Sequence, residues 1–301
     1  MVIGIYVIAM QSARKIEERN SIIQTLPNGT VLVDYGPMRM FIHVYEDGKH
    51  LTGLAKEGAD LAIKLLEDLS RYLPLIKMRS RDIQSNEKFP EVVRIMIEAT
   101  RSMDAPDLTP LAAVAGTTAE MVADFIFSKG GTKVIVDNGG DIAIRLRKGE
   151  VARVGIKTEI SAKQPAYLIE IGSAMGIGGV ATSGLGGRSF TKGIASAVTV
   201  LAENASLADA AATVVANFTD VEDSCIERKL AEKIYPDTDI AGQRVTTNVG
   251  KLIPEKVEQA LGKGLSTSMI LLQKGLIRGA FIALQGRTGW TDSLNGLLRS
   301  L

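Results

Sequence analysis

The chain has 301 residues, 35 Lys+Arg against 34 Asp+Glu, and a formal net charge of +1. Its 46% hydrophobic and 23% charged content excludes a disordered chain, and the near-zero balance argues against a polyanion binder, so no nucleic-acid partner is expected. Two histidines (His43, His50) and one cysteine (Cys225) exclude a His-rich or CxxC zinc site and an intrachain disulfide, and suit a cytoplasmic protein.

Met1 to Met10 is apolar but lacks a basic flank and is too short to span a bilayer. It reads as an opening strand, and no membrane partner is expected. Val31–Val33 and Met40–Tyr45 read as strands around the breaks Pro27-Asn28-Gly29 and Gly36-Pro37, and residues 43–50 as a hairpin tip. Leu61, Leu65 and Leu69 recur at four-residue spacing within an amphipathic helix over 56–73. Residues 74–90 are charged and irregular, and Glu91–Met103 is a second helix. Thr109-Pro110 predicts an N-cap followed by Pro at the first helical position, opening a small-residue helix from Leu111 towards Phe127.

Strands follow at Val134–Val136, Ile142–Leu146, Val151–Ile156 and Tyr167–Ile171. Ile194–Leu201 is another strand, Ser206–Asn217 an alanine-dense helix, and Asp223–Ile234 a further helix. Residues 254–261 read as a short helix, and Ser268–Leu272 and Leu276–Leu284 as terminal strands. Adjacent strand pairs mixed with helices predict an α+β fold rather than a doubly wound sheet.

Glycine is the unusual component, with 30 residues. Eight fall between Gly172 and Gly193, close to strand-like pieces rather than in a linker. Three constellations could carry chemistry. Asp137-Asn138-Gly139-Gly140-Asp141 is a hairpin turn, or a bare backbone corner that admits a planar or phosphorylated ligand between two carboxylates. Gly179 to Arg188 contains Ala181-Thr182-Ser183-Gly184. It reads as a surface loop, or as backbone N–H groups and hydroxyls offered to an anion with Arg188 as a phosphate partner. It matches neither a phosphate-binding GKS/GKT loop nor a GxSxG elbow. Asp209 and Thr213 lie four apart on one helix face, either as ordinary helix residues or as oxygen ligands for a hard cation.

Taken in order, these pieces resemble the ApbE-like superfamily of FAD:protein FMN transferases. The matching residues are Ala112–Gly116, Asn138–Asp141, Ala181–Gly184, the strand Ser196–Val200 and Ala208–Thr213. An archaeal and bacterial branch of that superfamily shares the Leu-Ala-Ala-Val-Ala-Gly stretch at 111–116. The resemblance implies an ApbE-type mixed α+β fold with antiparallel or mixed sheets and packed helices, formed by residues 1–301 as one unit or as two interleaved subdomains around a cleft. It implies FAD or FMN and Mg²⁺ as ligands, with Asp209 and Thr213 as metal-binding catalytic residues and a carbonyl near Ala115 completing the set. Asn138, Gly139, Gly140, Asp141, Ala181, Thr182, Ser183 and Gly184 would contact the nucleotide.

The implied activity is transfer of FMN from FAD to a protein Thr or Ser, with AMP leaving. The partners are then a nucleotide-like small molecule and an acceptor or redox protein, and a homodimer is expected. The resemblance breaks at one place. Transferases carry a His-x-x-Asp-Pro-x-x-Gly stretch after the Thr-Ser-Gly element, whereas Leu185–Gly193 holds no His, Asp or Pro. Arg188 and Lys192 are the phosphate-binding candidates left in that interval. The alternatives are a non-enzymatic cofactor-binding accessory protein in anaerobic redox or sulfur metabolism, and an enzyme of another reaction class on the same scaffold.

Overall fold

The computed structural model describes residues 22–84 and 87–301. The opening strand expected at 1–10 lies outside the described residues. The first strands are β1 (Ile23–Thr25), β2 (Val31–Tyr35), β3 (Met38–Glu46) and β4 (Lys49–His50). Helices α1 (Thr52–Arg71), α2 (Leu73–Ile76), α3 (Glu91–Ser102) and α4 (Val114–Ser128) follow. Next come β5 (Lys133–Asp137), β6 (Ile142–Leu146), β7 (Val151–Ile156), β8 (Tyr167–Gly172), β9 (Gly179–Ser183) and β10 (Ala197–Ala202). The last part holds α5 (Ala205–Phe218), β11 (Ile226–Leu230), α6 (Ala231–Ile234), β12 (Arg244–Val249), α7 (Pro254–Gln273), β13 (Gly279–Leu284), β14 (Arg287–Trp290) and β15 (Leu298–Ser300).

The α+β expectation holds. A ten-stranded sheet runs β1-β2-β3-β5-β6-β9-β10-β13-β14 with β4 added to β3, and β15-β8-β7 form a separate sheet. Neighbours in the large sheet are antiparallel. In β3 burial alternates, with Met38, Met40, Ile42 and Val44 turned inward, as a two-residue period requires. β10 and β13 are buried at every position, because both faces of the sheet are covered there. On one face Val198, Val200 and Ile282 pack on Ala208, Ala211, Val215 and Leu261 of α5 and α7. On the other, Leu201 and Phe281 pack on Ala152, Ile169 and Ile171 of the small sheet. Val33, Met40 and Ile42 meet Ala59, Met96, Val122 and Ile126 in the first helical core.

Four local expectations are corrected. Asp223–Ile234 is not one helix: β11 pairs with β12 and only Ala231–Ile234 is helical. The short helix at 254–261 continues as α7 to Gln273, so Ser268–Leu272 is helix rather than strand. Gly262 and Gly264 lie within this helix. A Cβ on Gly264 would lie 2.6 Å from Thr219 Cγ2 and 2.8 Å from Ile282 Cδ1, so glycine is what lets the helix pass. Thr109 does not cap α4: Pro110–Ala113 forms a 3-10 turn, and the Thr109 hydroxyl donates to Asp239 instead. Pro110–Ser128 is long and apolar enough to cross a membrane, but half of it is buried in the protein, against α1, α5 and β5.

β6 pairs with β9 only through Ile142↔Val180 and Ala143↔Gly179. β9 continues beside β10 as far as Ser183↔Val198. Beyond Val180 the large sheet therefore splits, with the Asn138–Asp141 turn on one lip and Thr182-Ser183 on the other.

Candidate functional site

Helix α5 runs along this split. Asn204, extended at φ −139°, accepts the Leu207 N–H with its side chain at 3.0 Å, which satisfies one of the free donors at the helix start. Alanine at 205, 208, 210, 211, 212 and 216 leaves the helix thin enough to be buried among its neighbours. Glycine completes the close fit. A Cβ on Gly116 would lie 2.2 Å from the Ala205 carbonyl oxygen, on Gly179 2.4 Å from Ala205 Cα, and on Gly193 1.8 Å from the Ala216 carbonyl oxygen. No side chain fits at these contacts.

Asp209, Thr213 and Asn217 recur every four residues and all line one cleft of about 1250 Å³. This is above the usual range for small-molecule sites, roughly 300–1,000 Å³. The Asp209 carboxylate accepts the Gly116 N–H at 2.9 Å and the Ala115 N–H. Burial pushes its pKa up to about 7, against the relief these hydrogen bonds give. Asp141 is raised well above the usual carboxylate range by burial, then by the nearby charges of Asp209 and Asp137. The Thr182 N–H bonds to it and so bridges the split.

The turn is held internally. Asp137 Oδ1 accepts the Gly140 N–H at 2.8 Å, and the Asn138 N–H bonds the Asp141 carbonyl at 3.0 Å. Gly139 and Gly140 adopt φ of +78° and +107°, which favours glycine at both. The missing Cβ at Gly139 also leaves room for Arg188, whose Nη1 lies 3.3 Å from where that atom would stand and 3.3 Å from the Pro37 carbonyl oxygen. Lys192 Nζ donates to Asp107 Oδ2 at 2.5 Å, and its main-chain N–H to Asn217 Oδ1 at 2.8 Å. Burial raises the Asp107 carboxyl, but the Lys192 hydrogen bond and charge outweigh it and hold the group below its ordinary value.

The cleft thus gathers Ala115, Asn138, Gly139, Gly140, Asp141, Thr182, Ser183, Arg188, Lys192, Asp209 and Thr213. Two of the expected nucleotide contacts lie outside it. Ala181 is fully buried and packs on the α5 side of the sheet. Gly184 (φ +137°) sits against the Ala195 and Ser196 carbonyls. Sequence reasoning passed over other lining residues: Thr199, whose hydroxyl meets that of Thr182 at 2.9 Å, Asn217, Phe218, and the segment Tyr235–Gln243. Asn217 had a readable signal, since it continues the four-residue spacing of Asp209 and Thr213. The 235–243 segment forms part of the cleft wall. Lys77 Nζ holds it through Asp237 Oδ1 at 2.6 Å and the Asp237 carbonyl at 2.7 Å.

The donor set suits a hard cation. Asp209 is a half-buried carboxylate with charge to neutralise, Thr213 stands one turn along, and the cleft also offers Asp141 oxygens. Among the described residues no three His, Cys, Asp or Glu side chains form a ready-made metal cluster, so waters or ligand phosphates would fill the remaining positions. The Ala115 carbonyl is already engaged by Asn138 Nδ2 at 3.2 Å and Thr118 Oγ1 at 3.3 Å.

Over residues 23–290 the chain matches the protein family described as AbpE bacteria. A UPF0280 protein of Methanopyrus kandleri is 31% identical over 251 residues, covering 80% of this chain and 88% of that relative. A UPF0280 protein of Methanococcoides burtonii is 32% identical over 188 residues, covering 62% and 76%. Among solved structures, the flavin transferase ApbE of Vibrio cholerae matches with a TM-score of 0.51 and 14% identity, over 91% of this chain and 99% of that one. The apo flavinyl transferase ApbE of Pseudomonas stutzeri matches at 0.50 and 14%, over 91% and 96%. At that identity the likeness is one of fold. The chain is related to UPF0280 proteins, carries the ApbE fold and belongs to the AbpE bacteria family.

Proposed function

We propose that the chain binds a flavin dinucleotide in the cleft beside α5 and, with Mg²⁺, transfers its FMN half to a protein hydroxyl. We read residues 1–301 as one unit, with the cleft between its packed parts. The observation that carries this reading is the convergence, from positions up to 75 residues apart, of Asp209 and Thr213 with the Asn138–Asp141 turn, Thr182-Ser183, Arg188 and Lys192 around one cleft. A dinucleotide pyrophosphate needs cations, backbone donors and an elongated slot, and each has a candidate here.

Asp209 and Thr213 would hold the metal, which would supply neutralisation of the pyrophosphate charge. Gly116 and Ala115 keep the Asp209 carboxylate pointed into the cleft. Arg188 and Lys192 would take phosphate oxygens, and the bare turn at Gly139-Gly140 admits the ligand close to the backbone. Leu108, Leu111 and Phe41 line the cleft walls and limit water around the reacting phosphate. In the transfer, the acceptor oxygen bonds to the FMN phosphorus as the bond to AMP breaks. The acceptor proton leaves to solvent or a cleft carboxylate.

One observation favours a second reading. The Leu185–Gly193 interval contributes Arg188, Ser189, Phe190 and Lys192 to the cleft but none of the His, Asp and Pro of the transferase pattern. A cofactor-holding accessory role would need binding without transfer. Incubation with FAD and Mg²⁺, with and without Thr/Ser-bearing acceptor proteins, separates the two by AMP release. AMP formation supports transfer, tight FAD binding without AMP supports the accessory role, and absence of both overturns the flavin reading.

A further inference from the structure

The helix that carries Asp209 is located by a residue that does not line the cleft. Glu120 of α4 is 8% exposed, and its Oε2 accepts the Ser206 N–H in the first turn of α5 at 2.9 Å. One turn earlier on the same face of α4, the Gly116 N–H holds Asp209 Oδ2 at 2.9 Å. Residues four apart on a helix share a face, as do the three-apart Ser206 and Asp209 on α5. The two bonds therefore clamp α5 against α4 at two points one turn apart.

We infer that Glu120 is a positioning residue: through Ser206 it sets where α5 sits against α4, and so how far Asp209 projects into the cleft. Asn204 caps α5 from within its own segment through Leu207 N and Ser206 Oγ, whereas Glu120 takes the remaining Ser206 N–H from a different helix and so ties α5 to α4. An ion pair does not account for Glu120, since Arg145 gives its short contacts to Asp124 and to the Ile144 and Gly178 carbonyls. A buried carboxylate that engages both the backbone amide and the side chain of Ser206 is instead a strong, directional anchor at the positive end of a helix. The contact between Gly116 and the Ala205 carbonyl means that a small slide of α5 cannot be absorbed locally. Losing the Glu120 anchor should therefore be felt at the Gly116–Asp209 bond.

The metal consequence rests on the function proposed above, but the anchoring does not, and the test separates them. The full chain is compared with Glu120→Ala and Glu120→Gln. Exchange of the Gly116 amide is followed by ¹⁵N NMR, and Mn²⁺ binding by water-proton relaxation. Glu120→Ala should speed Gly116 exchange and weaken Mn²⁺ binding, each about 10-fold, the scale for supports behind a metal ligand. Glu120→Gln keeps an acceptor oxygen and should restore most of both. In Asp209→Ala, where the bond is already gone, adding Glu120→Ala should not speed Gly116 exchange further. Unchanged Gly116 exchange in Glu120→Ala overturns the inference, as does faster exchange spread evenly over α4, α5 and α7. If the unaltered chain binds no Mn²⁺, the metal reading fails while the Gly116 comparison still decides the role of Glu120.

Discussion

The Gly116 amide donates to the Asp209 carboxylate at 2.9 Å, and the same glycine has no room for a side chain, its Cβ site being 2.2 Å from the Ala205 carbonyl oxygen. Gly116→Ala must push α4 and α5 apart. Overpacking of this kind costs about 1–3 kcal/mol, and here the obstacle is backbone, which yields least. The expected result is a lowered denaturation midpoint together with weakened metal-dependent ligand binding. A midpoint equal to that of the unaltered chain would contradict the packing.

Asp209 has an expected signature in pH. Its carboxyl is raised from 3.8 to about 7 in the folded protein, first by burial. A folded acid with a raised pKa binds its proton more tightly than the unfolded chain does. Stability then falls as pH rises between these two values and levels off above the upper one. Metal-free protein should therefore melt at higher temperature at pH 5.5 than at pH 7.5, once other groups are accounted for by comparison with Asp209→Asn. That variant should flatten the slope and melt higher at pH 7.5. Asn does keep an oxygen for the Gly116 N–H, so the bond itself is retained. A slope unchanged in Asp209→Asn would remove Asp209 as its source.

Arg188 and Lys192 should separate into different effects. Arg188 is exposed and makes one long protein contact, to the Pro37 carbonyl, so Arg188→Ala should leave stability within about 0.5 kcal/mol. It should weaken a phosphorylated ligand, since charge-assisted phosphate bonds contribute about 1.5–3 kcal/mol each. Lys192→Ala also removes the partner that lowers Asp107. Titration of Asp107 by carboxyl ¹³C NMR should move upward in that variant and stay put in Arg188→Ala.

The Tyr235–Gln243 segment should open without unfolding the protein. Lys77 clasps it through two bonds to Asp237, but the Asp237 side chain is 73% exposed. Lys77→Ala should therefore change global stability by no more than about 1 kcal/mol while raising amide exchange across 235–243. Unchanged exchange there would show that other contacts hold the segment.

Much of the fold is legible where local pattern and tertiary demand agree. β3 reads as a strand because Met40, Ile42 and Val44 alternate inward, and the Asn138-Gly139 turn because both glycines after it take positive φ. Legibility fails where packing overrides local preference. Gly264 looks like a helix breaker and is a spacer for Thr219 and Ile282. The polar run 226–230 looks helical, yet it forms a strand because β12 pairs with it. The site divides the same way. Asp209 and Thr213 are visible from helical spacing. Thr199 and residues 235–243 enter the cleft only through long-range folding, and Ala181 drops out because alternation along β9 turns it to the helix side while Thr182 faces the split.

The most direct test is FAD titrated by flavin fluorescence into the full chain and into Asp209→Ala, each with and without Mg²⁺. Binding that tightens about 10-fold or more with Mg²⁺ in the unaltered chain, and loses that dependence in Asp209→Ala, is the predicted result, the loss of a direct metal ligand being at least as costly as the loss of its support. FAD binding that ignores Mg²⁺ in both proteins, or no FAD binding at all, would contradict a metal-assisted flavin site at Asp209.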